Sequence, residues 1–253
     1  MIKIGQSFIN YETLRNQLRL NQTQQEIVER MSASPVVFGY DSLDQLRFEL
    51  KLRNDIVKSA KALNDSGASF GSFSRSRSNP DYWNTTDFGG FQLRYGVRPS
   101  DAIRDIFTNG SEYAFECSTA IIILYYRAVL QSIGAQTFDR LFPTILLFDG
   151  QYDEGLGLTT QDLTNTVVLP GDVLYFDNPD YNPETPEWMG ENVVYLGNGL
   201  FYGHGIGIMG ASEMIYNLNT LRMPGARRSA YLMNRVARPD FASLARYSTD
   251  SMP

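Results

Sequence analysis

The chain has one cysteine, Cys117, and it stands where a thiol could be a nucleophile. The stretch Tyr-Ala-Phe-Glu-Cys-Ser-Thr-Ala-Ile at 113–121 opens an apolar run that continues through Leu130 and stops at Gly134. That pattern predicts a buried helix with Cys117 in its first turn and Gly134 as a left-handed cap. Unpaired N–H groups and the positive end of the helix dipole there favour thiolate over thiol and can hold a developing oxyanion. A carboxylate, Glu116, is the thiol's neighbour in sequence. The alternative for a lone cysteine is a small inert core residue.

A thiol nucleophile needs a base, and a predicted hairpin supplies two candidates. Trp188–Leu196 and Leu200–Ile206 read as strands joined by Gly-Asn-Gly at 197–199. Glu191 stands at the entrance of the first strand and His204, the only histidine, near the end of the second. Chemistry alone favours His204, because imidazole is the usual partner of a catalytic thiol; a structural histidine is the competing reading. Asp149 with Asp153 and Glu154 could be read as calcium ligands, but they lack the alternating loop spacing and read better as a solvated acidic loop.

The elements that must hold these groups follow in order. A short strand at Ile2–Ile4 and an amphipathic helix over Gln22–Met31, ended by Ser34-Pro35, make residues 1–35 an appendage on the core. Asp41-Ser42 caps a strong helix to about Leu63. The Ser/Gly/Arg-rich stretch 69–80, carrying Phe70 and Phe73, reads as a lid or mobile linker, with Arg75 and Arg77 on it. Strands are predicted at Tyr82–Asn84 and Phe91–Tyr95, a short helix from Pro99 to Phe107, and a buried strand over Phe142–Asp149. The stretch Val167–Phe176 reads as two strands joined by Pro170-Gly171, and a helix at Ser212–Leu221 precedes a last strand at Ser229–Arg235. Helices first, a thiol at the head of a central helix, then antiparallel strands carrying polar partners: this order is the α+β, papain-like arrangement. One domain is expected over 1–253, with a frayed tail at 247–253.

Composition narrows the function classes. With 253 residues, 43% of them hydrophobic, the chain can bury a proper core. A net charge of −6, with no basic cluster longer than Arg227-Arg228, argues against nucleic acid. One cysteine excludes an internal disulfide and a Cys-based zinc site, and a single histidine excludes His-rich metal clusters, so no metal or cofactor is expected. The start lacks signal-peptide features and no apolar run spans a bilayer, so the chain is expected to stay inside its cell without a membrane partner.

Seven segments together resemble one family, the small calcium-independent transglutaminases of the bacterial spore coat. They are Phe-Glu-Leu-Lys-Leu-Arg at 48–53, Ser-Gly-Ala-Ser-Phe at 66–70, Ala-Ile-Arg-Asp-Ile at 102–106, the cysteine segment at 113–121, Gly-Asp-Val-Leu-Tyr-Phe at 171–176, Trp-Met-Gly-Glu-Asn-Val at 188–193 and Tyr-Gly-His-Gly-Ile-Gly-Ile at 202–208. The fifth is also similar to a strand of NlpC-type cell-wall hydrolases. The resemblance implies a protein-glutamine γ-glutamyltransferase in which Cys117 pairs with Glu191, Glu116 assists, and His204 falls back to a lining role. It implies a narrow aromatic tunnel lined at Phe70, Trp188 and Tyr175, with Asn192, His204 and Asp149 completing the lining. Gly150 stands where the family has tryptophan, which bears on one tunnel wall. The implied partners are glutamine-donor and lysine-acceptor side chains of spore-coat proteins, the implied state a monomer, and the implied location the mother-cell cytoplasm and then the coat. A papain-like peptidase or cell-wall amidase using Cys117 and His204 is the rival enzyme, and an inactive coat protein the rival without chemistry.

Overall fold

The computed structural model describes residues 1–248; the expected frayed tail falls, from residue 249 on, outside the described residues. The chain opens with β1 (Ile2–Ile4), β2 (Ser7–Ile9), α1 (Tyr11–Gln17), α2 (Gln22–Ala33) and β3 (Phe38–Tyr40). β3 returns parallel to β1, which pairs antiparallel with β2. Asn21 and Gln24 form a capping box on α2 and Ser34 ends it, as the Ser-Pro break predicts. Ile27, Val28 and Met31 close this layer against Leu46, Leu50 and Leu169.

Next come α3 (Leu43–Asn64), β4 (Ser69–Phe70), β5 (Trp83–Thr85), β6 (Phe91–Leu93), α4 (Pro99–Thr108), β7 (Ala114–Phe115), α5 (Cys117–Ile133), α6 (Ala135–Leu141) and β8 (Leu146–Leu147). The Ser42 side chain caps α3 by accepting from the Gln45 N–H. α5 carries Ile121, Ile122 and Ile123, all buried, and β-branched residues are poor helix formers. Its order therefore comes from packing, each fully buried aliphatic side chain contributing about 1.5–3 kcal/mol. α3 lies along α5, and both sit in the main core.

The last part holds β9 (Thr159–Asp162), β10 (Val173–Asp177), β11 (Gly190–Gly197), β12 (Leu200–Gly203), β13 (Gly207–Gly210), α7 (Ala211–Thr220), β14 (Tyr231–Leu232), β15 (Arg235–Arg238) and α8 (Phe241–Ala245). These seven strands form an antiparallel sheet in the order β13-β12-β11-β10-β15-β9, with β14 also on β10. One face receives α5 and the other α7. The α+β arrangement of a thiol-bearing central helix on an antiparallel sheet is the one that the sequence predicts.

Four local expectations are corrected. Phe142–Asp149 is strand only at Leu146–Leu147: Phe142 is the C-cap of α6, only Leu146 and Leu147 pair with β6, and Asp149 turns the chain at φ +45°. Val167–Leu169 is not a strand: its backbone is bound by side chains, the Leu169 N–H donating to Asp172 and the Val167 carbonyl accepting from Arg238. The stretch 69–80 is no free linker, since Ser69 and Gly71 donate to Tyr113 and Phe115, and Arg77 exchanges backbone hydrogen bonds with Ala114. Gly134 ends α5 at φ +80° and ψ 158°, positive φ but outside the left-handed helical region.

A buried ion cluster ties the two halves. Asp172, just before β10, accepts from Arg53 of α3 at 2.7 Å and from Arg238 of β15 at 2.7 Å through each oxygen. Arg53 also donates to Glu49, and Tyr40 of β3 donates to the same carboxylate. Every charge in the cluster has an opposite partner, the condition under which buried ions are tolerated.

Candidate functional site

Cys117 is the first residue of α5, 8% exposed, and its sulfur opens onto a cavity of about 330 Å³. The neighbouring strands β10 and β11 place Tyr175 opposite Asn192, and both line that cavity. The Asn192 side-chain amide donates to Cys117 Sγ at 3.6 Å. Glu116 and Asp149 also line it, so five of the residues singled out from the sequence meet in one place.

Glu116 does something the sequence reading did not foresee. It is the N-cap of α5, and its carboxylate accepts from the Ser118 N–H at 2.5 Å, the Thr119 N–H at 2.6 Å and the Ser118 hydroxyl at 2.9 Å. Two of the helix N–H groups expected to hold an oxyanion, those of Ser118 and Thr119, are thus taken by a side chain. The expected thiolate is corrected as well. Burial pushes the Cys117 thiol well above its ordinary range, the Glu191 and Glu116 carboxylates push the same way, and the Asn192 hydrogen bonds only partly offset them. The helix dipole does not prevail, because a carboxylate already sits on it.

Glu191, the second residue of β11, is 0% exposed, and neither of its carboxyl oxygens has a hydrogen-bond partner among the described residues. Burial raises it well above the usual carboxylate range and the Glu116 charge adds to this; the backbone of His204 pulls the other way and does not offset them. Its backbone neighbours Gly190 and Asn192 line the thiol's cavity. Its carboxyl lies against Gly203, where a Cβ would come within 2.8 Å of Oε1, so glycine is required for the side chain to fit.

His204 is held apart from the thiol. Its Nδ1 lies 2.9 Å from the Tyr202 hydroxyl and its Nε2 lies 3.2 Å from the Ser69 carbonyl, which can only accept, so Nε2 carries the proton and Nδ1 accepts. The ring stacks on Phe115 at 4.6 Å and burial lowers its pKa to about 4. With both nitrogens committed, it is a neutral structural imidazole. It lines a second cavity, about 240 Å³, together with Phe70, Tyr202 and Gly203. Phe70 stacks on Trp188 at 4.8 Å, and Glu191 lies with its chain neighbours on one cavity and its carboxyl against Gly203 of the other. Phe70, Trp188 and His204 are therefore not among the residues lining the thiol's own cavity.

Several lining residues escaped the sequence reading: Ser72, Phe73, Ser118, Glu187 and Met189. Phe73 was visible as an aromatic residue in a polar loop, Ser118 and Met189 stand inside the segments that carry the resemblance without being singled out, and nothing marked Ser72 or Glu187. Gly150 has φ +67°, and a Cβ there would touch Ser118 at 3.5 Å, so glycine leaves open the side of the site that a larger residue would cover.

A buried thiol on a helix start, beside an unpartnered carboxyl group and under a half-covered cavity, is fitted for covalent acyl transfer. The comparisons agree. The profile of the family described as protein-glutamine gamma-glutamyltransferase matches residues 1–248. Relatives of that name include proteins of Halalkalibacterium halodurans, 46% identical over 89% of this chain and 79% of its own, and Bacillus cereus, 42% identical over 100% and 91%. The solved transglutaminase from Geobacillus stearothermophilus (without C-terminal extension) is 49% identical and superposes with a TM-score of 0.78 over 82% of this chain and 98% of its own. This chain belongs to the protein-glutamine gamma-glutamyltransferase family and is a transglutaminase. Among the described residues no helix is long and apolar enough to cross a membrane.

Proposed function

We propose that the protein forms Nε-(γ-glutamyl)lysine isopeptide crosslinks through a Cys117 thioester, with Glu191 as the base and without calcium. The observation that carries this reading is the Glu191 carboxyl: fully buried, with no partner in strict hydrogen-bond geometry beyond a loose approach of the His204 backbone N–H, and close enough to the thiol for its charge to raise it. Cys117 Sγ attacks the side-chain carboxamide of a protein glutamine. The thiol proton passes to the Glu191 carboxylate and then to the leaving nitrogen, so ammonia departs and a thioester remains. A lysine ε-amine attacks the thioester, the C–N bond forms, and the sulfur leaves and is reprotonated. Raising the carboxyl towards the thiol narrows the gap across which that proton moves.

The Asn192 amide, already on the sulfur, is a side-chain donor that can face a developing oxyanion, whereas the Ser118 and Thr119 N–H groups are occupied by Glu116. Glu116 acts as helix cap and fixed negative charge. The Tyr175 phenol, pushed up to about 12 chiefly by burial, stays protonated and can donate to substrate. Independence from calcium rests on the resemblance to the calcium-independent spore-coat enzymes.

The test is incorporation of a fluorescent primary amine into a glutamine-rich protein in EDTA, with Cys117→Ala beside the wild type. Labelling by the wild type alone supports the reading; labelling that depends on added calcium, or none at all, sinks it. The resemblance to spore-coat enzymes supports a finer role: soluble coat proteins crosslinked by a monomer made in the mother cell. Purified coats lacking this chain would then hold fewer isopeptide bonds, and equal isopeptide content would refute the role.

A further inference from the structure

One ion pair involves a carboxylate on the wall of the thiol's cavity. Glu187, in the 3₁₀ turn Pro186–Trp188, lines the cavity and is paired with Arg75 Nη2 at 3.4 Å. Arg75 closes the turn Phe73–Arg75, whose Phe73 lines the same cavity. The arginine side chain is 71% exposed and the glutamate 17%, so the pair is long, solvated at its cationic end and easily exchanged. Of the other carboxylates on the cavity, Glu116 is saturated by the helix start and Asp149 is exposed. Phe73, Tyr175, Pro186 and Met189 line the same cavity and supply an apolar wall for the aliphatic stem that follows a charged head inward.

The distribution of basic residues adds an independent observation. Of 22 lysines and arginines only four are lysine, at positions 3, 51, 58 and 61. Lys51 is held by Asp55 and the Gln131 carbonyl. Every residue lining the thiol's cavity lies in the part of the chain, from residue 72 on, that has no lysine at all. A guanidinium keeps its charge and is not a nucleophile at any working pH, whereas an ammonium loses its proton and can attack a thioester.

We propose that Glu187 is the acceptor-recognition residue: it receives the ammonium head of an incoming primary amine, which displaces Arg75, and the resident cation is arginine because a lysine there would itself be acylated. This rests on the reading that a Cys117 thioester is consumed by an amine. In that event the amine, having given up a proton, forms the amide bond as the C–S bond breaks, and the thiol is restored.

The experiment is steady-state kinetics on the full chain with fluorescent cadaverine as acceptor and a glutamine peptide as donor. Glu187→Gln should raise the KM for the amine about three- to tenfold, as loss of one exposed charge contact would, with the KM for the glutamine peptide moving far less. Arg75→Ala should lower the amine KM by removing the competitor. Arg75→Lys, incubated with the donor peptide and no added amine, should gain the donor's mass less one ammonia at position 75, which peptide mass spectrometry reads directly. An amine KM unmoved in Glu187→Gln, or raised equally with the peptide KM, overturns the proposal while wild-type labelling leaves the thioester reading standing. No amine incorporation by the wild type overturns both.

Discussion

Asp172 and Glu191 stand at the heads of neighbouring strands, each 0% exposed, and their surroundings could hardly differ more. Asp172 accepts four hydrogen bonds, from Arg53, the Leu169 N–H and twice from Arg238. Glu191 accepts none within hydrogen-bond geometry. The first carboxylate is neutralised on all sides and ties α3 to the sheet. The second is left where its charge is disfavoured, beside the one thiol. The contrast teaches that burial alone does not make a reactive group; burial without a partner does, at a cost in stability that the rest of the fold offsets.

The comparison can be broken first at Asp172. Asp172→Ala leaves two buried guanidinium groups facing each other without their shared anion, and denaturant unfolding should show a loss of about 3–5 kcal/mol. An unchanged midpoint would mean the cluster is ornamental. The thiol side should respond to acid instead. Buried His204 titrates at about 4 when folded and at about 6.5 when unfolded, so between those values only the unfolded chain takes up the proton. Stability should therefore fall as pH drops from about 6.5 to about 4, by about 3 kcal/mol from this group, and His204→Gln should flatten that slope.

Glu191→Gln sharpens the contrast with the opposite sign. The folded chain keeps a proton that the unfolded chain gives up above about 4.5, so the native carboxyl is destabilising as pH rises. The amide should raise stability at pH 7 by about 1–3 kcal/mol, the gain vanishing below about pH 4.5, as thermal melts at the two pH values would show. Gly203→Ala should act on the same carboxyl sterically, costing about 1–3 kcal/mol and lowering turnover as the side chain is pushed from its place. Equal stability and turnover in that variant would show that Glu191 is not confined there.

The sequence made the long helices and the hairpin legible because their signals are local: Ser42 as a cap, the unbroken apolar run of α5, the Gly-Asn-Gly turn before Leu200. It hid α6, since Gly134 reads as a stop while the helix that follows needs no linker. It turned Val167–Leu169 into a strand because apolar residues look alike whether a neighbouring strand or an arginine holds their backbone. At the site, residue types drew attention to Cys117, Glu191 and His204, but not to their order of importance. Imidazole chemistry alone pointed to His204, and only the resemblance favoured Glu191. Tyr202, at the end of β12 two residues before His204, is the partner that the ring finds. That Glu191 had none is a property of the packed molecule, as is the use of Glu116 as a helix cap.

Which group takes the thiol proton is tested most directly by the amine-incorporation rates of Glu191→Gln and His204→Gln, measured side by side with the wild type. Loss of about 10²–10⁴-fold in Glu191→Gln, with His204→Gln retaining most of its rate, is the predicted result. Near-normal turnover in Glu191→Gln together with loss in His204→Gln would contradict it.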